Sequence, residues 1–289
     1  MLSSSPRILI CSSVGEGKAY SLPLLDAVLP VLCQSIAADF VVYDDTVGGI
    51  DEKYHPIKAK LILAGEDVPA RLQAVREQLR RYAVNNHYDI VYWHDADMVP
   101  QKHILREFVE LAHEFKFSNI NGLYFMRGVN VPAPAGAIAS NQRLVKDIYH
   151  YTVYGMGACL MSAKAITLPF NQKLLNPPYY GEDCAWYLDS YVMGFGDALV
   201  DTAEPVWHCN GDGKANLPVV GNVMRSLTWE GNPSEVRNDY GAWIYGQPKF
   251  GLPDTAFEEL SSDFIRREYP ELRVRMGTHT EALSDYGYI

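Results

Sequence analysis

Ile90-Val91-Tyr92-Trp93-His94 is a run with no polar alternation, so neither of its sides can be left in water. A strand of β-branched and aromatic residues like this one belongs inside a sheet covered on both faces. Its continuation, Asp95-Ala96-Asp97-Met98-Val99-Pro100, puts two carboxylates at the strand's end, and Pro100, lacking an N–H, stops the ladder. Carboxylates at the rim of a core call for a compensating cation. Two hard oxygen donors there suit Mg²⁺ or Mn²⁺. An ordinary turn also uses Asp after a strand, so the rest of the chain has to decide between the two readings.

Other segments repeat the strand–helix rhythm. Ile8-Leu9-Ile10-Cys11 and Phe40-Val41-Val42-Tyr43 read as short buried strands, with a weaker one at Lys60–Leu63. Helices are expected over 21–36, from about Pro69 to Val84, and from about Lys102 to Phe115 with Ile104, Phe108, Leu111 and Phe115 on one face. Pro30 is expected to kink or split the first helix. The alternation predicts an α/β fold with a mostly parallel sheet flanked by helices, whose ligands bind beyond the carboxyl ends of the strands. Those ends carry Ser12-Ser13, Asp44-Asp45 and Asp95-x-Asp97, three sets that can meet in one crevice.

Further along, Asn121 to Arg127 reads as a strand and 128–150 as a loop leading into a tyrosine-rich segment. Gly155–Met161 reads as a glycine-led strand that another backbone or a ligand can approach closely. Glu182-Asp183 opens a helix closed by Gly194 and Gly196, after the loop Asn176–Gly181. A strand at Ala198–Thr202 precedes Val206-Trp207-His208-Cys209. No βα alternation or repeat follows residue 210. The expected organisation is one main α/β domain over 1–210 and a C-terminal subdomain or lid over 211–289.

The formal net charge of −10 over 289 residues argues against a nucleic-acid surface. No stretch approaches 18 uninterrupted apolar residues, so no transmembrane segment is expected. Five scattered cysteines without C-x-x-C spacing read as reduced thiols of a cytoplasmic protein.

The order of these features resembles the glycosyltransferases with the A-type (nucleotide-diphospho-sugar transferase) fold, closest in pattern to the family 2-like enzymes, over roughly residues 7–210. The resemblance rests on the acid pair after the second strand, Asp95-Ala96-Asp97, the glycine-led strand, Gly181-Glu182-Asp183 at a helix start, and Trp207-His208. It implies a metal-dependent transferase, of hexosyl type, moving a sugar from a UDP or GDP sugar to a hydroxyl on a saccharide or glycoconjugate. Asp97 would bind Mn²⁺ or Mg²⁺ directly, Asp95 would contact the metal's water shell or the ribose, and His208 would be a further ligand. Asp44 and Asp45 would read the base, Ser12 and Ser13 the ribose or base, and Arg76, or equally Arg71, would lie near the phosphates. Asp183 would be the general base of an inverting displacement, with Glu182 as its alternative or as an acceptor-binding group. At a helix start the local amides would keep Asp183 ionised and weakly basic.

Retaining transfer on the same fold is the nearest alternative reading, followed by a sugar-nucleotide nucleotidyltransferase and a non-catalytic binding protein. A nucleotidyltransferase would need a Gly-rich, cation-bearing loop after the first strand, and that loop offers only Lys18. Gly15-Glu16-Gly17-Lys18 lacks the first Gly and the Ser/Thr of a phosphate loop. His103 and His113 read as solvated. Tyr179, Tyr180, Trp186 and Trp229 are aromatic residues that can stack on an acceptor sugar, and Lys214 and Arg225 can close over a diphosphate.

Overall fold

The computed structural model describes residues 6–58, 68–125, 136–138, 146–172, 181–196, 198–221 and 272–289. The first half runs β1 (Ile8–Gly15), α1 (Leu22–Ile36), β2 (Asp39–Asp45), β3 (Pro56–Lys58), α2 (Val68–Asn85) and β4 (Ile90–His94). Next come β5 (Met98–Val99), α3 (Ile104–Phe115), β6 (Asn119–Leu123), β7 (Gly136–Ile138), β8 (Ile148–Tyr154), β9 (Ala158–Ser162) and α4 (Ala163–Ile166). The remainder is α5 (Glu182–Val192), β10 (Ala198–Pro205), β11 (Trp207–Cys209), β12 (Lys214–Val219), β13 (Arg273–Thr278) and α6 (His279–Asp285).

The large sheet has the order β3-β2-β1-β4-β9-β6-β10-β8-β7. Strands β3, β2, β1 and β4 are mutually parallel. β9 runs against β4 and β6, and β8 against β10 and β7, so most strands share one direction. The fold is therefore the expected mostly parallel α/β sheet flanked by helices. β2 lies on one side of β1 and β4 on the other, which makes the C-terminal end of β1 a switch point where loops diverge and leave a crevice.

The strand at 90–94 is buried on both faces, as its composition requires. Trp93 packs edge-on against Phe170, 5.5 Å between ring centres, and donates its indole N–H to the Met161 sulfur. Helix α3 buries Ile104, Leu105, Phe108 and Leu111 along one stripe. Helix α1 buries Leu24, Leu25, Val28, Leu29 and Leu32, and runs unbroken past Pro30. Glu16–Ile36 has the length and apolarity of a membrane span, but that buried stripe identifies α1 as a core helix of this domain.

A second sheet, β13-β12-β11-β5, sits beside the crevice. In it Trp207 pairs with Val99 and His208 with Met98, both antiparallel. The boundary expected at residue 210 falls between β11 and β12, which are neighbours in this sheet. Helix α6 begins with a capping box of Thr278 and Glu281. It and the residues after it clamp the small sheet: Tyr286 donates to the Pro205 carbonyl (2.6 Å), Tyr288 to that of Pro100 (2.8 Å) and Trp207 to Asp285 (3.2 Å).

Several expectations change. β1 continues to Gly15, because Ser12 through Gly15 keep pairing with Val42 through Asp45. Ile148–Tyr154, read as part of a loop and a polar segment, is a strand antiparallel to β10. β6 starts at Asn119, earlier than read. His103 is not simply solvated: its Nε2 lies 3.1 Å from the Glu204 carboxylate, and this raises its pKa. The strand read at Lys60–Leu63, the segment Asn176–Tyr180 with Tyr179 and Tyr180, and Arg225 and Trp229 lie outside the described residues.

Candidate active site

Asp97 is fully buried and sits in the short link between β4 and β5. Two backbone bonds fix that link. Asp95 N–H donates to the Gly157 carbonyl (2.8 Å), and Cys209 N–H donates to the Asp97 carbonyl (2.8 Å). The β5–β11 pairing then carries the His208 ring to Asp97, with Nε2 3.7 Å from Oδ2. That separation is too long for a hydrogen bond.

On its other side His208 meets the Phe125 carbonyl, 2.7 Å from Nδ1. The Nδ1 contact to a backbone carbonyl leaves Nε2 facing the carboxylate, an arrangement common for metal-ligating imidazoles. Nε2 is buried and has no hydrogen-bond partner among the described residues. A buried polar atom left unpaired is costly, so a cation between ring and carboxylate fits the donor set.

Among the described residues no cluster of three or more His, Cys, Asp or Glu forms a complete cage for a metal. Mg²⁺ and Mn²⁺ do not require one, since they commonly keep waters and take ligands from a substrate's phosphates. Asp97 and His208, with Asp95 beside them, are the residues that could hold such a cation.

The chain's own donors already face Asp97. Lys18 Nζ lies 3.3 Å from Oδ1, and the Tyr20 hydroxyl donates to Oδ2 at 3.2 Å. Both residues sit on the 3-10 turn Glu16–Ser21 that follows β1 at the switch point. Sequence reading dismissed this turn because it lacks a phosphate-loop pattern. The available signal was a single cation just past the end of the central parallel strand.

Arg76, expected to lie near the phosphates, is buried. Its Nε donates to Glu182 Oε1 at 2.7 Å, one amino group lies 3.5 Å from Asp95 Oδ1, and its guanidinium lies over the Trp93 ring. It joins α2, α5 and the β4 end. Burial pushes the Asp95 carboxyl up, but Lys18 and Arg76 outweigh that and bring its pKa below the ordinary value.

Glu182 is spent on Arg76 and almost wholly buried, whereas Asp183 remains partly exposed. Asp183 Oδ1 accepts from Cys184 N–H at 2.7 Å, as expected near a helix start. That contact and Arg76 favour the anion, but they lose to burial and to the neighbouring Glu182 charge. The Asp183 pKa is raised to about 7. The expectation of a fully ionised, weakly basic Asp183 is therefore corrected: its surroundings make it a group poised near neutrality.

Tyr124 lies near both Asp95 and Asp183, whose charges add to burial in raising its pKa. Its hydroxyl accepts from Gly157 N–H (3.0 Å), and its ring meets His208 edge-on. A methyl at Gly155 would stand 2.1 Å from that hydroxyl and 3.5 Å from Asp183 Oδ2, and one at Gly157 would stand 3.3 Å from Asp95 Oδ2. The two glycines thus let the backbone pass between Asp95 and Asp183, with Tyr124 against it. Tyr124 was missed as a site residue because the sequence shows only an aromatic in a strand.

At the end of β2 the two acids part. The Asp44 oxygens accept from Thr46 N–H, Thr46 Oγ1 and Ile50 N–H, so this carboxylate closes its own loop. Asp45 pairs with Arg71, 3.3 Å from Nε, which leaves Asp45 and Arg71 at the crevice. Ser12 lies buried in β1, its hydroxyl without a hydrogen-bond partner among the described residues. Ser13, on the alternate face, is half-buried. Trp186 is buried, donates to the Leu168 carbonyl and stacks with Phe170, so it is a packing residue and not an acceptor platform. Lys214 is exposed and pairs with Asp212 (3.2 Å).

No protein-family profile matches the sequence, and no curated protein is similar to it at a significant level. Solved structures are similar in fold at low identity. A197 from STIV has a TM-score of 0.46 at 10% identity, covering 78% of this chain and 98% of that one. S. aureus TarS 1-349 in complex with UDP-GlcNAc has 0.46 at 13%, covering 96% and 75%. The catalytic domain of Drosophila β1,4-galactosyltransferase 7, in complex with xylobiose, has 0.39 at 11%, covering 89% and 79%. At these values the likeness does not assign this chain to a family.

Proposed function

We propose that this protein transfers a glycosyl group, of hexosyl type, from a nucleoside-diphosphate sugar to a hydroxyl of a saccharide or glycoconjugate, with inversion. The observation that carries the reading is the division of labour around Tyr124. Asp97 and the His208 ring, donors that suit a cation, meet on one side by the β1/β4 switch point, and Asp183, its pKa raised by burial and the Glu182 charge, lies beside Gly155 on the other.

Asp45 and Arg71 sit where the nucleoside would lie, and the Asp45 carboxylate can accept an imide or amino hydrogen from uracil or guanine. Asp97 and His208, with Asp95 nearby, would hold a Mn²⁺ or Mg²⁺, which would supply charge stabilisation for the departing nucleoside diphosphate. Arg76 holds Asp95 and Glu182 in place and occupies the Glu182 carboxylate, which leaves the base role to Asp183. Asp183 takes the acceptor hydroxyl's proton as the oxygen attacks the anomeric carbon. Five free cysteines fit a reducing, cytoplasmic location.

Incubation with a panel of UDP and GDP sugars plus Mn²⁺, followed by NMR, tests the reading. Donor turnover that is lost in Asp97→Ala, with a β-linked product from an α-donor, supports it. An α-linked product from an α-donor removes the base role from Asp183, and failure to bind any such donor overturns the transferase reading altogether.

A further inference from the structure

Around the candidate site four carboxylates (Asp95, Asp97, Glu182 and Asp183) meet two chain cations, Arg76 and Lys18. The two cations differ in freedom. Arg76 is buried and held by Glu182 and Asp95, while the Lys18 side chain is 27% exposed and reaches Asp97 at 3.3 Å.

The backbone beneath Lys18 is anchored independently. Ser21 Oγ donates to the Lys18 carbonyl (2.6 Å), Val47 N–H donates to Glu16 (2.8 Å), and the Tyr20 ring stacks on His279 with centres 5.9 Å apart. The flexible four-carbon stem of Lys18 is therefore what can move. A fully buried carboxylate needs a counter-ion at all times, and two cations compete for the same oxygens.

We propose that Lys18 is a resident counter-ion for Asp97, which leaves the carboxylate when a divalent cation binds and then pairs with the donor's diphosphate. The second half of this proposal rests on the transferase reading above. The exchange at Asp97 does not. Its consequence is coupling. Without a diphosphate, Lys18 opposes cation binding; with one, the displaced ammonium gains a new partner, so metal and nucleotide bind cooperatively.

Mn²⁺ binding is measured by EPR titration and calorimetry, alone and with UDP or GDP, on the wild-type protein and on Lys18→Met and Lys18→Gln; Lys18→Arg retains the charge. Circular dichroism checks folding. The neutral variants are expected to bind Mn²⁺ alone about tenfold more tightly and to lose most of the nucleotide's enhancement of Mn²⁺ affinity, with Lys18→Arg close to wild type. If Mn²⁺ binds the neutral variants no more tightly than wild type, the exchange is overturned; the transferase reading survives provided wild type still binds Mn²⁺ with UDP or GDP. If wild type binds neither Mn²⁺ nor nucleotide, both readings fall.

Discussion

Arg76 Nε donates to Glu182 Oε1 across 2.7 Å in the interior, and this pair ties the helix before the acidic strand end to the helix that presents Asp183. Breaking a buried pair from one side strands the other charge. Arg76→Ala leaves the buried Glu182 without its cation and takes from Asp95 one of the cations acting on it, and is expected to cost roughly 3–5 kcal/mol in urea unfolding. Glu182→Gln keeps the shape and an acceptor oxygen, so a much smaller loss is expected. Equal losses in the two variants would mean the ion pair does not organise this junction.

Asp183 makes a prediction in two directions. Its pKa is about 7 in the folded protein against 3.8 ordinarily, so between those values the folded state holds a proton that the unfolded state has released. Stability from this group therefore falls as pH rises from about 4 to about 7. Asp183→Asn removes the penalty and is expected to raise stability at pH 8 by on the order of 1–2 kcal/mol, discounted because the group is partly solvated. The same change is expected to lower kcat by roughly 10²–10⁴ and to abolish the rise in rate through pH 7, with donor affinity little changed. A variant with its pH–rate profile intact would exclude Asp183 as the base.

Much of this arrangement was legible in the chain. Ile90–His94 has to be a central strand, Asp95 and Asp97 have to leave it at its end, and Glu182 and Asp183 have to start a helix. These are local consequences of period and composition. The small sheet was not legible, because β5 has two residues and β11 three, and its other strands lie at 214–219 and 273–278. Runs that short carry no measurable period, so the pairing that brings His208 to Asp97 is invisible locally. Lys18 and Tyr20 were hidden for a related reason: they meet Asp97 from 79 and 77 residues away. The fates of Asp44 and Glu182 were likewise set by partners, Ile50 N–H and Arg76, which no short motif encodes.

The Tyr124 hydroxyl and Gly155 can be tested as a pair. A methyl at Gly155 falls 2.1 Å from that hydroxyl, so Gly155→Ala must displace the ring and weaken its bond from Gly157 N–H. A loss of about 1–3 kcal/mol is expected. Tyr124→Phe removes the clashing atom. The double variant should therefore be clearly more stable than the sum of the single changes predicts, by an interaction energy of at least about 0.5 kcal/mol. Simple additivity would mean that the crowding is relieved elsewhere.

His208 gives the most direct reading of the candidate cation site. Its Nδ1 is engaged by the Phe125 carbonyl, and Nε2 lies 3.7 Å from Asp97 Oδ2 with no hydrogen-bond partner among the described residues. If Nε2 is a metal ligand, His208→Ala should weaken Mn²⁺ binding by at least roughly tenfold, since losing even a group that only orients a ligand commonly costs 10–100-fold. His208→Gln retains a hydrogen-bonding end but not an imidazole lone pair, and should be almost as weak. EPR titration of Mn²⁺ separates this from a packing role. A ring that only filled space beside Tyr124 would, when replaced, lower the unfolding midpoint and leave the Mn²⁺ titration unchanged, and that outcome would leave Asp97 as the principal protein ligand.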